Sequence, residues 1–151
     1  MPTVKIKLKY STCFLSIMLM LLTSCDEINT NDPEKVYYHW ADGGAPTGVE
    51  LQKGRYWQSA HWTKEYVMFL QLKPTQEWWR NFKVINRFEG HRIDKVGVSR
   101  SEIFEVEPPD WIEKPDWFTP DQGSEVYGQF GGSKYFWDTK NEMLFIYEIQ
   151  L

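Results

Sequence analysis

From Tyr66 to Leu72 the chain alternates: Tyr66, Met68, Leu70 and Leu72 fall on one face of an extended segment. Val67 and Phe69 make the other face apolar as well, which predicts an inner strand. The run from Arg55 reads as its hairpin partner, across a turn near Ala60 to Thr63, and regular structure is expected to begin there. Thr75 predicts a helix N-cap after Pro74, and Glu77 suits the positive end of the helix dipole. Trp78, Phe82 and Ile85 then recur at spacings of four and three, one helical stripe with Trp79 at its margin. The stripe ends near Asn86, before Gly90. Residues 91–98 and 102–107 are short strand candidates, whereas the four prolines within 108–123 exclude a regular element inside a sheet. Residues 125–130 and 133–138 flank Gly131-Gly132 and predict a hairpin with a two-residue turn. A turn over 139–142 leads to a closing strand in which Met143, Phe145, Tyr147, Ile149 and Leu151 alternate with Leu144, Ile146, Glu148 and Gln150. The expected fold is α+β: a mostly antiparallel sheet with a C-terminal β-meander and one main helix packed on it.

The N-terminus is organised differently. Lys5, Lys7 and Lys9 precede a short apolar run that includes Phe14, Leu15, Ile17 and Leu19 to Leu22, the layout of a secretory signal peptide. A membrane-spanning helix needs roughly 20 apolar residues. Tyr10 to Ser24 is only 15 residues long and partly polar, so a transmembrane anchor is the weaker reading.

Leu22-Thr23-Ser24-Cys25 resembles the lipobox of bacterial lipoproteins, and the resemblance covers the first 25 residues. It implies cleavage before Cys25, a lipid on the Cys25 sulfur and an acyl chain such as palmitate on the new amino group. Each buried methylene adds about 0.8 kcal/mol of membrane affinity, so several chains hold where one would only visit. The alternative is a secreted chain with a free cysteine near its start. The resulting division is a signal peptide over 1–24, a tether over 25–35 leaving the lipidated Cys25, and one globular domain over 36–151. Asp26 and Glu27 resemble both an inner-membrane retention signal and a surface-export signal, so the cell envelope is expected and either membrane remains open.

Removing residues 1–24 takes three lysines and no acid, leaving 14 basic against 21 acidic residues, a net charge of −7. Such a surface repels polyphosphate and argues against nucleic acid as a partner. It gains nothing from anionic headgroups either, so the lipid would do the anchoring. Cys13 leaves with the signal peptide and Cys25 would be acylated, so the mature domain forms no disulfide. Its 23 aromatics in 127 residues must fill a core, build an interface or stack on sugars.

Candidate chemistry is sparse. His39, His61 and His91 lie 22 and 30 positions apart, without metal-ligand spacing. Ser59 near His61, and His91 near Asp94, lack the constrained turn that presents a nucleophile. No catalytic residue, metal or cofactor is assigned, and a carboxylate pair cannot be chosen among so many acids.

One feature stands apart. Pro109-Asp110-Trp111 recurs as Pro115-Asp116-Trp117, with Glu113 between and Phe118 after. Six acids within 102–116 face a single base, Lys114. Either both tryptophans turn inward and pin the loop to the sheet, or one faces out among the acids as a preorganised site. The candidate partner-binding residues are therefore Trp111, Trp117, Asp110, Asp116 and Glu113. The expected function is a non-enzymatic protein-binding module, held at the bilayer through acylated Cys25, with a basic protein as the partner. An assembly partner or an immunity-type inhibitor fits this description. An envelope glycan binder or hydrolase is the alternative.

Overall fold

The computed structural model describes residues 26–88, 92–93, 108–121, 123–128 and 132–151. Cys25, residues 1–24 expected to be a signal peptide, the strand candidate over 102–107 and the pair His91 and Asp94 lie outside them. The elements in chain order are β1 (Ile28–Thr30), α1 (Pro33–Ala41), β2 (Val49–Gln58), β3 (Tyr66–Pro74), α2 (Gln76–Ile85), β4 (Arg92–Ile93), β5 (Glu125–Gly128), β6 (Lys134–Asp138) and β7 (Met143–Gln150). They build one antiparallel sheet of seven strands, ordered β1-β2-β3-β7-β6-β5-β4. The fold is α+β, and β5, β6 and β7 form the C-terminal meander.

The middle of the sheet, β3, β7 and β6, is buried on both faces. Tyr56, Met68, Leu70, Leu72, Leu144, Ile146, Tyr135 and Trp137 point to the side that α1 and α2 cover. Val67, Phe69, Phe136, Phe145, Tyr147 and Ile149 point to the other, where Ile112 and Phe118 of the proline-rich loop lie on them. This arrangement explains why β3 and β7 are apolar at nearly every position. Leu70 is 0 % and Phe145 5 % exposed, on opposite faces, as the alternation of these strands requires. Leu70→Ala and Phe145→Ala should each cost about 2–5 kcal/mol of stability, read as a shift in the denaturant midpoint.

Structure begins earlier than the pattern suggested. Residues 28–35, expected to be tether, carry β1 and the start of α1. The reason is local chemistry that resembles a polar linker. Asp32 caps α1 by accepting from the Glu34 N–H at 3.0 Å, and Pro33 stands at a position where no N–H is needed. Of the residues expected to form the tether, Asp26 and Glu27 are the only described ones that precede the first strand. The helix then lies directly on β2 at Gly54, where an added Cβ would come within 2.8 Å of Val36 Cγ2 and 2.9 Å of Pro33 Cα. A second helix therefore joins the single one expected.

The phase of α2 also differs. Thr75 caps it through the Trp78 N–H, as predicted. The buried residue, however, is Trp79, which stacks on Trp137 at 5.1 Å, while Ile85 is 78 % exposed. The inward stripe runs from Trp79 to half-buried Phe82 and on to Phe88 beyond the helix end. In the β5–β6 hairpin, Gly128 stands opposite Lys134. The turn expected at Gly131-Gly132 involves residues 129–131, which lie outside the described residues.

The turn from β6 to β7 is set by Asp138, whose carboxylate accepts from Lys140 N–H at 2.9 Å, Asn141 N–H at 3.2 Å and the Asn141 side chain at 2.7 Å. Burial pushes its pKa up, but the bonds from Asn141 and Lys140 outweigh that and hold it below the ordinary aspartate value. A carboxyl whose pKa is lower folded than unfolded stabilises above its unfolded pKa, and that contribution disappears as pH falls through the folded one. Stability measured across the acid range should therefore fall less steeply for Asp138→Asn than for the parent chain.

Candidate functional site

The two Pro-Asp-Trp repeats have the same local structure. Ile112 N–H donates to Pro109 O at 2.8 Å, and Phe118 N–H donates to Pro115 O at 2.9 Å. Each repeat is thus a four-residue turn with proline first, an exposed aspartate and a tryptophan at the corner, and an apolar residue closing it. The closing residue is the plug. Ile112 is 6 % and Phe118 0 % exposed, and Phe118 sits edge-on against Phe69 at 5.1 Å and Phe145 at 5.7 Å. Lys114 Nζ donates to Phe118 O at 3.0 Å and braces the stretch between the turns.

Because the plugs hold the loop, the tryptophans need not. Trp111 is 60 % exposed, and Trp117 is half-buried at the edge of the core. Trp111 meets Trp57 of β2 edge to face at 4.3 Å, and the Trp57 indole N–H donates to Glu27 at 2.9 Å. Asp110, Glu113 and Asp116 are all exposed. The structure therefore puts an open indole on a turn held at both ends, with carboxylates on the same loop. Trp57 and Glu27 belong to this surface and had no signal in the sequence, since only strand pairing brings β1 and β2 beside the loop.

A second polar constellation lies on the helical side. Glu148 of β7 is 8 % exposed, and its carboxylate accepts from Tyr135 OH at 2.7 Å, Trp40 Nε1 at 2.9 Å and Tyr66 OH at 3.2 Å. Burial, and then the charge of Glu148, push Tyr66 and Tyr135 above the ordinary tyrosine pKa, so both stay phenols and keep donating. His39 stacks on Tyr56 at 4.8 Å, and Tyr56 OH donates to Gln58 at 2.7 Å. This network joins α1, β3, β6 and β7 through one carboxylate. Among the described residues its hydrogen-bond donors are all neutral, and a buried acceptor satisfied in this way clamps the elements that supply them.

Other sequence candidates stay apart. Ser59 is buried while the neighbouring His61 side chain is 74 % exposed, with Glu65 3.9 Å away. Among the described residues no group of three His, Cys, Asp or Glu side chains could hold a metal ion, and no helix is long and apolar enough to cross a membrane. In comparison with known proteins, no family model, no curated protein and no solved structure matches the chain.

Proposed function

We propose that this chain is a membrane-anchored lipoprotein of the bacterial envelope whose domain is a non-enzymatic protein-binding module. The observation that carries the reading is Trp111, a large apolar side chain left 60 % exposed on a loop whose closing residues are fully engaged. Ordering such a side chain on binding costs little, because its backbone is already held. Asp110, Glu113 and Asp116 beside it suit a partner that offers lysine or arginine, whose stem can lie on the indole while its head meets a carboxylate. Assembly with another envelope protein, or inhibition of one, is the role this surface fits.

Two measurements test the reading. Metabolic labelling with a fatty-acid analogue should mark the parent chain and not Cys25→Ala, and equal labelling of both would end the lipoprotein assignment. Capture of partners from envelope extract should weaken as salt rises, because exposed charges are screened over about 10 Å at 0.1 M salt. Salt-independent retention that neutral glycan competes away would give the surface to a sugar instead.

A further inference from the structure

The end of the sheet from which the chain runs back toward Cys25 also carries the most exposed tryptophan. Ile28 stands opposite Gln58, and Gln58 opposite Tyr66, so β1 begins at the end where β2 turns into β3. That turn is closed by Ser59 N–H donating to Glu65 O at 2.8 Å, and it projects Trp62, which is 88 % exposed. Among the described residues no packing explains an indole there. Only Asp26 and Glu27 separate Cys25 from Ile28, a span of at most about 11 Å even when fully extended. A lipid on Cys25 would therefore hold this end of the sheet against the bilayer, since the tether is too short for the domain to stand clear of it. Indoles partition to the headgroup level, with the ring in the apolar boundary and the N–H in water.

We propose that this end of the sheet rests on the lipid surface, with Trp62 entering the headgroup region. The inference rests on acylation of Cys25. Asp26 and Glu27 at the same end are repelled by anionic lipid, so the contact belongs to indole and acyl chain and needs no negative headgroup. Trp57, bonded to Glu27, and Trp111 beside it then flank the bilayer, which confines partners of the Trp111 surface to molecules at the membrane.

The test uses acylated full-length mature protein in phosphatidylcholine vesicles that contain a headgroup-level spin-labelled lipid. With Cys13 removed and Cys25 acylated, Thr63→Cys or Thr139→Cys supplies the only free thiol for a fluorophore. Thr63 lies beside Trp62, and Thr139 lies in the β6–β7 turn at the opposite end. The Thr63 label should lose most of its emission and the Thr139 label should keep it. Adding Trp62→Ser should return a measurable part of the Thr63 emission, the part owed to the indole, while the short tether still keeps that end near the lipid. Protein that floats with the vesicles but shows equal quenching at both positions, or no effect of Trp62→Ser, overturns the docking while leaving the anchor intact. Protein that does not float overturns the lipoprotein assignment and this inference with it.

Discussion

Phe118→Ala is expected to destabilise the domain by about 3–5 kcal/mol, a large part of the 5–15 kcal/mol available to a domain of this size. Phe118 is completely buried, and its ring meets Phe69, Phe136 and Phe145. Truncation removes those contacts and leaves a cavity between loop and sheet, which the neighbouring prolines cannot collapse to fill. The loss should appear in the denaturant midpoint and as faster hydrogen exchange over residues 108–121. Trp111→Ala, in the preceding turn, should cost no more than about 1.5 kcal/mol, the value of its edge contact with Trp57. A small effect at Phe118 together with a large one at Trp111 would reverse the roles given to plug and corner.

Glu148→Leu should cost about 3 kcal/mol or more. It removes one acceptor and strands three donors, Trp40 Nε1, Tyr66 OH and Tyr135 OH, each carrying a desolvation penalty of roughly 1–3 kcal/mol once unpaired. Glu148→Gln keeps a carbonyl oxygen for two of them, and its amide can donate to a tyrosine hydroxyl, so its cost should be well under half as large. Thermal unfolding of the two variants separates the effects. Equal destabilisation would mean that shape rather than hydrogen bonding holds α1 to the sheet.

Much of the fold was legible because two-residue alternation is unambiguous where a strand has one partner face or two. The span from Tyr66 to Leu72 and the run from Met143 onward carry that signal, and Thr75 marks the start of α2. The misses have physical causes. Pro33 and Asp32 serve a helix start as readily as a linker, and the short β1 has meaning only through its pairing with β2. In α2, adjacent Trp78 and Trp79 leave the helical phase open, and the demand of Trp137 for a stacking partner decides it. The candidate surface was legible in part. The repeat marked the loop, but the sequence could not say that Ile112 and Phe118, one residue past each tryptophan, take the inward positions. The Trp57–Trp111 contact and the Glu148 clamp depend on residues far apart in the chain, and no local pattern announces them.

The central claim is that Trp111 serves a partner rather than the fold. Its most direct test is quantitative capture from envelope extract at low salt, on immobilised parent domain and Trp111→Ala loaded at equal folded amounts. Trp111→Ala should stay folded, its unfolding temperature lower by no more than the several degrees that about 1.5 kcal/mol represents, yet retain the captured protein about 30-fold more weakly, the equivalent of about 2 kcal/mol. Undiminished capture by a folded Trp111→Ala domain would contradict it.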